Sequence, residues 1–187
     1  MTASALGTAP LWYVTRAAGS VSFGFGLAAT KRVLASRAWP RFATQALHRN
    51  LSLLALGFLV VHVVTTLADP YVHVGWWSWI VPLTSGYRTF WVALGTLAFD
   101  LVVLLVATSL LRHRMSARSW RAIHWAAYAV WPLAFFHFLK TGTDAADGRW
   151  GLYLAVGCLM VLLPAAAARW LTGDSRARSL AGVRGGA

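Results

Sequence analysis

Four histidines in two apolar stretches are the residues of this sequence best suited to chemistry. His48 and His62 share one stretch, and His124 and His137 share another. An ionisable side chain is costly in the hydrocarbon core of a membrane, so residues of this kind mark function by default. Neutral imidazole is a nitrogen ligand that suits iron and other transition metals. A single such histidine is equally well explained by a hydrogen bond between helices, but two matched pairs favour a shared site.

The spacing within each pair predicts two levels of depth. His48 and His62 are fourteen residues apart, which corresponds to about 21 Å of helical rise with both rings near one face. His124 and His137 are thirteen residues apart, which corresponds to about 19.5 Å of rise. We therefore expect His48 to face His124 near the inner side of the membrane and His62 to face His137 near the outer side. Two imidazoles from opposed helices suit a planar haem with both axial positions filled, which favours electron transfer over oxygen binding.

The face on which the second pair lies does not follow from ideal helix geometry. Thirteen residues at about 100° each leave His124 and His137 roughly 140° apart around the helix axis. Pro132 lies between them, and a proline can kink a helix and change its local winding. Periodicity alone leaves open whether the two rings share a face.

The elements that must position these histidines are membrane helices. The sequence is 58% hydrophobic and 12% charged, with a mean hydropathy of +0.59, and these values exclude an ordinary soluble domain. Its formal charge of +12 is spread between apolar stretches rather than gathered in one patch, so we expect no nucleic-acid partner. We predict an all-α integral membrane bundle of about five transmembrane helices, at 11–30, 46–68, 90–111, 119–140 and 150–171.

Basic residues predict how the bundle is oriented. They are abundant in the loops after the first and third spans and in the tail, whereas aspartates offset them in the other two loops. Positive charge faces the cytoplasm, so we expect a multi-pass protein of the cell membrane with its amino terminus outside and its carboxy terminus inside. Residues 1–10 are then a short extracytoplasmic segment, 11–171 the membrane domain, and 172–187 a flexible basic cytoplasmic tail. The outer loop 69–89 contains prolines and three tryptophans, which predicts a position along the outer interface.

Four segments resemble the ferric reductase-like transmembrane domain. That domain is shared by ferric-chelate reductases, NADPH oxidases and the haem-binding membrane subunit of a bacterial periplasmic methionine sulfoxide reductase. The segments are LWYVTRAAG at 11–19, LHRNLSLLALGFLVVH at 47–62, TSLLRHRMSARSWRAIHWAAY at 108–128 and HFLKTGTD at 137–144. The resemblance extends over residues 11–171 and therefore over nearly all of the predicted spans.

The resemblance implies a set of cofactor ligands. The family binds two stacked b-type haems with histidine spacings of 14 and 13, which answers the question of alignment that periodicity left open. It implies that the axial ligands of two b-type haems are His48, His62, His124 and His137. Arg16 resembles the arginine with which the family neutralises a haem propionate.

Two further arginines are candidates for contact with the inner haem. Arg49 adjoins His48, and Arg121 lies at the inner end of the fourth span. Each is suited to pair with a propionate of the inner haem, because arginine donates two parallel hydrogen bonds to a carboxylate. The alternative is that both serve only as topology signals.

The implied function is transmembrane electron transfer. Electrons would come from a cytoplasmic flavoprotein reductase or a quinol and pass to an extracytoplasmic acceptor such as a ferric chelate. One alternative is a haem-binding membrane anchor for a separate extracytoplasmic reductase such as methionine sulfoxide reductase, and another is a histidine-based transporter of protons or divalent metals.

The sequence differs from larger family members in two ways. Those members have an additional span before the first, and many continue into a flavin and nicotinamide domain, and we expect neither here. No catalytic residue is predicted. Whether the chain is itself an oxidoreductase or a subunit of one stays open.

Overall fold

Helices joined by short turns make up the described part of the chain. The computed structural model describes residues 3–29, 40–69, 74–142, 150–160 and 163–164. Its helices are α1 (Ala3–Ala28), α2 (Arg41–Ala68), α3 (Thr89–Leu110), α4 (Ala117–His124), α5 (Ala127–Thr141) and α6 (Trp150–Met160). Short 3-10 turns occupy Trp76–Trp79 and Arg112–Arg114. The predicted all-α class is confirmed.

Several of these helices are long enough to cross a membrane. Three apolar segments meet the requirements of length and composition, namely Phe42–Ala68, Thr89–Leu110 and Ala117–Thr141. Helix α1 has 26 residues, which corresponds to about 39 Å of rise and exceeds the hydrocarbon thickness of about 30 Å. The chain is therefore a multi-pass membrane protein, as predicted.

The helix boundaries differ from the predicted spans where the chain is helical beyond its apolar part. Helix α1 begins at Ala3 rather than at residue 11, because apolarity marks the membrane-embedded length and a helix can extend past it. The fourth span is divided between α4 and α5 by a turn at residues 125–126. The end of the fifth span and the tail 172–187 lie outside the described residues. The predicted sidedness of the termini stays a prediction.

Helices α1 and α2 form an antiparallel pair with a regular register. Three of the polar contacts between them pair Thr15 with His62, Ser22 with Ala55 and Ala29 with His48. Successive contacts are seven residues apart on both helices, which is the repeat of two helices that stay in contact over many turns. The spacing of fourteen between the two histidines of α2 therefore corresponds to two such repeats along α1.

Helices α3 and α5 form a second antiparallel pair. Its contacts also keep one register, pairing Trp91 with His137, Arg88 with Lys140 and Tyr87 with Thr141. In both pairs the histidine belongs to the later helix and bonds to the backbone of the earlier one. The two helix pairs therefore present their histidines in the same way.

An aromatic cluster joins the two pairs. Phe23 of α1 stacks on Trp131 and Phe138 of α5, with ring centroids 5.7 and 5.8 Å apart. Ala155 and Cys158 of α6 are buried in the same cluster. This packing holds α1 against α5 and so fixes the first pair relative to the second.

The outer loop packs along α3. Thr96 of α3 donates a hydrogen bond to the carbonyl of Ser78, and Trp79 meets Phe99 edge-on at 6.0 Å between ring centroids. Trp76 is 68% exposed, which suits the predicted interfacial position. That position itself stays a prediction, and residues 70–73 lie outside the described part of the loop.

Candidate functional site

The structure brings His62 of α2 and His137 of α5 together. Their ring centroids are 6.2 Å apart and their planes are inclined at 84°. A metal–imidazole bond is about 2 Å long and a ring centroid lies roughly 1.2 Å behind its nitrogen, so two imidazoles on opposite sides of one metal have centroids about 6.3 Å apart. The separation of these two rings is therefore compatible with two ligands on opposite sides of one metal ion.

His62 is oriented by α1. Its Nδ1 donates a hydrogen bond to the carbonyl oxygen of Thr15 at 2.8 Å. Because a carbonyl can only accept, Nδ1 carries the proton and Nε2 keeps its lone pair. Histidines that bind metals commonly have this arrangement, since the hydrogen bond fixes both the tautomer and the direction of the ring.

His137 is oriented in the same way by α3. Its Nδ1 donates to the carbonyl oxygen of Trp91 at 2.9 Å, and the hydroxyl oxygen of Thr141 lies 3.2 Å from the same nitrogen. Nε2 is again the nitrogen left for a ligand bond. Both rings of this pair, which we call the outer level after the predicted orientation, thus have the protonation that iron ligation requires.

Two glycines that sequence reasoning missed lie against these rings. A β-carbon added at Gly19 would be 2.7 Å from Nδ1 of His62, and one added at Gly95 would be 2.5 Å from Nδ1 of His137. Real β-carbons do not approach other atoms so closely, so both rings occupy space that only glycine leaves open. A usable signal was present in the sequence, because glycine destabilises a helix interior and calls for an explanation there.

His48 is held at the inner end of α1. Its Nδ1 donates to the carbonyl oxygen of Ala29 at 2.6 Å. Ala29 directly follows Ala28, the last residue of α1. The inner histidine of α2 therefore finds its acceptor at a helix end, without a glycine.

His124 is the last residue of α4. Its ring stacks on that of Trp120, with centroids 4.7 Å apart and planes inclined at 20°. The indole nitrogen of Trp120 is buried and has no hydrogen-bond partner among the described residues. The contacts that hold His48 and His124 are separate, and the pairing of these two histidines stays a prediction.

The turn after His124 bears on its alignment with His137. Several backbone hydrogen bonds here span three residues rather than four, among them those that join Ala126 to Ile123, Tyr128 to Trp125 and Ala129 to Ala126. Each residue wound in this tighter manner advances about 120° instead of 100°. The turn residues Trp125 and Ala126 have ψ angles of −25° and −19°, which are typical of this winding. The added rotation therefore reduces the roughly 140° that an ideal helix leaves between the two histidines.

Pro132 gives a physical reason for this winding. A proline has no N–H to donate and its ring clashes with the carbonyl four residues earlier. That carbonyl belongs to Tyr128, which lies within the tightened stretch. The sequence located the irregularity near Pro132, and the structure places it one turn earlier.

The three candidate arginines differ in their surroundings. The guanidinium of Arg16 lies over the ring of Trp12, 3.8 Å from its centroid, and Arg16 directly follows Thr15, so it is at the level of His62. Arg49 is exposed, and so is Arg121, which lines a shallow pocket beside His124. Their predicted contacts with propionates stay predictions.

The histidine pair suits a haem better than a bare metal ion. Within the described ranges, no group of three or more His, Cys, Asp or Glu side chains is placed to hold a metal. Zinc sites in proteins use three or four protein ligands. In a haem the porphyrin supplies four nitrogens and the protein supplies only the axial ligands, so two facing histidines are sufficient.

Comparison with known proteins identifies the family. A family model described as ferric reductase-like transmembrane component matches residues 15–135, well over half of the 187 residues. The matched stretch contains three of the four histidines and ends just before His137. No curated protein and no solved structure matches the chain. The chain belongs to the family of ferric reductase-like transmembrane components, as its sequence motifs predicted.

Proposed function

We propose that this protein binds two b-type haems and carries electrons across the membrane. The observation that supports the proposal most strongly is the geometry of His62 and His137. Their rings are 6.2 Å apart, and both Nδ1 atoms donate to backbone carbonyls. Family membership supports a function in membrane electron transfer independently of this geometry.

The residues of the chain contribute orientation and environment. Haem iron, when bound, supplies a one-electron couple between its ferrous and ferric forms. His62 and His137 would fill both axial positions, which favours electron transfer over oxygen binding. Their Nδ1 hydrogen bonds make each imidazole a stronger donor, and Arg16 is suited to neutralise a propionate at the same level.

His48 and His124 are the proposed ligands at the inner level. The Nδ1 bond of His48 to Ala29 leaves its Nε2 available as a ligand. The tight winding after His124 reduces the angle around the helix axis between that residue and His137, which supports this assignment. Arg49, Arg121 and the buried indole N–H of Trp120 are nearby donors for the carboxylates of the inner haem.

The proposed electron flow is outward across the membrane. Basic loops mark the inner side as cytoplasmic, so the proposed donor is a cytoplasmic flavoprotein reductase or a membrane quinol. The proposed acceptor lies outside and is either a ferric chelate or a separate extracytoplasmic reductase such as methionine sulfoxide reductase. A reductase that co-purifies with the chain would identify it as a membrane anchor subunit.

The absorption spectrum of the purified protein tests the proposal. The full chain is expressed with ample haem, and its reduced-minus-oxidised spectrum and pyridine haemochrome are measured together with its bound metals. We expect the bands of low-spin b-type haem and two haems per chain. His113→Ala, in the exposed turn Arg112–Arg114, is the matched control and should keep both haems. A protein without haem bands, or one that binds divalent metal instead, would contradict the proposal.

A further inference from the structure

The two outer histidines are held by the same arrangement of backbone and glycine, which we call a seat, although different helices form the two seats. Each seat consists of a backbone carbonyl, a glycine four residues later on the same helix, and the histidine ring of the next helix in the pair. The members are Thr15, Gly19 and His62 in one seat, and Trp91, Gly95 and His137 in the other. The two seats share no residue, so the same arrangement of carbonyl, glycine and histidine ring is formed twice in this bundle.

Helix geometry explains why the residue four positions after the accepting carbonyl must be glycine. In an α-helix each carbonyl accepts the N–H of the residue four positions later, and the β-carbon of that residue stands beside the bond. A ring that also bonds to the carbonyl must enter the space of this β-carbon. The distances of 2.7 Å at Gly19 and 2.5 Å at Gly95 show that both rings do so.

Three other helical glycines do not have this role. A β-carbon at Gly24, Gly26 or Gly57 would meet nothing within 4 Å. His48 differs from the two outer histidines, because it bonds to the carbonyl of Ala29 at the end of α1 and not to a carbonyl within the helix. The requirement is therefore specific to histidines that bond to a carbonyl within a continuous helix.

We propose that Gly19 and Gly95 are positioning residues that hold the two outer histidines as Nδ1–H tautomers and thereby lower the reduction potential of the outer haem. An imidazole whose Nδ1–H is hydrogen-bonded is a stronger donor to iron and stabilises the ferric form. A methyl group at either position pushes the ring away from its carbonyl and weakens that donation. The part that concerns potential rests on the proposed function, whereas the tautomer is a property of the chain itself.

A redox titration followed by absorbance tests the proposal. The variants are Gly19→Ala, Gly95→Ala and their combination, with Gly26→Ala and Gly57→Ala as matched controls in open space. Each single variant should shift the potential of one haem to more positive values and leave the other unchanged. The double variant should shift the same haem further, because the seats act on opposite ligands. Unchanged potentials in the single and double variants would overturn the proposal.

A second measurement covers variants that lose haem. The affinity of Gly19→Ala and Gly95→Ala for haem should fall roughly 10- to 100-fold, as for other groups that orient metal ligands, whereas that of Gly26→Ala and Gly57→Ala should be unchanged. Nitrogen NMR of histidine-labelled full chain, reduced so that low-spin haem iron is diamagnetic, should show protected Nδ1–H signals for His62 and His137. These signals should persist in Gly57→Ala and weaken in Gly19→Ala for His62 alone.

The two measurements separate the two proposals. Nδ1–H signals in a wild-type chain that holds no haem would refute the proposed function and leave the tautomer seats intact. Nε2–H tautomers at His62 and His137 would overturn the seats whatever the haem content. Loss of haem from Gly19→Ala with an unchanged His62 signal would also overturn them, because the ring would then be in place.

Discussion

The outer and inner levels of the bundle hold their histidines by different means. At the outer level, His62 and His137 both bond to carbonyls within neighbouring helices, and their rings face each other. At the inner level, His48 bonds to a helix end, whereas His124 stacks on Trp120 of its own helix beside a turn. Helix ends and turns open locally more easily than helix interiors. The outer site is thus preorganised by the register of two helix pairs, and the inner site depends on local backbone geometry.

Pro132→Ala should have the largest effect that distinguishes the two levels, because it should remove the haem of the inner level alone. Alanine restores the helical N–H and removes the cause of the tight winding, so His124 should rotate away from the face of His137. We expect loss of one haem of two, measured as haem per chain. The outer haem should remain, because α3 still holds His137.

Pro10→Ala is the control for this change, since Pro10 is also inside a helix and is exposed. It should keep both haems. Because proline is less favourable than alanine in a helix interior by about 3 kcal/mol, loss of haem from Pro132→Ala would not reflect a weaker helix. Retention of both haems with unchanged spectra would mean that the winding does not align the inner ligand.

A smaller difference is expected in affinity for haem. Preorganised ligands bind more tightly because less ordering is needed on binding. When chain produced with limited haem is titrated with haem, the outer site should fill first, by a factor of about 10 or more. The sites can be told apart by electron paramagnetic resonance, because nearly perpendicular imidazoles, here 84° apart, give a highly anisotropic low-spin ferric signal. If both sites filled together, or if that signal appeared late in the titration, the outer site would not bind haem more tightly than the inner site.

The smallest expected effect concerns Thr141. Its hydroxyl oxygen is a second acceptor for Nδ1 of His137, and a single hydrogen bond contributes about 1 kcal/mol. Thr141→Val should shift the potential of the outer haem slightly to positive values in a redox titration and leave the inner haem unchanged. Thr108→Val, which removes a hydroxyl that bonds to Leu104 and Leu105 of its own helix, should shift neither potential. A shift of the inner potential alone would contradict the assignment of His137 to the outer level.

Much of this arrangement follows from sequence alone. The spacing of fourteen predicted that His48 and His62 lie on one face of α2, and both do bond to α1 at matching steps. The predicted approach of His62 to His137 is also present. These features could be predicted because helical rise depends only on the number of residues.

Other features depend on how helices meet and are not visible in any one segment. The role of Gly19 requires knowing that the carbonyl of Thr15 lies opposite His62, which is a matter of register between α1 and α2. The tight winding before Pro132 could be suspected from the proline, but its extent could not. Apolar periodicity specifies which face is buried and not which backbone atom on that face accepts a bond.

The haem content of four single variants tests most directly whether His62 and His137 hold one haem and His48 and His124 the other. His48→Ala, His62→Ala, His124→Ala and His137→Ala are each purified, and their pyridine haemochrome and redox titration are compared with the wild type. We expect His62→Ala and His137→Ala to lose the same haem, with the potential of the other haem unchanged. We expect His48→Ala and His124→Ala to lose that other haem. Loss of different haems from His62→Ala and His137→Ala, or retention of both haems in either, would contradict the account.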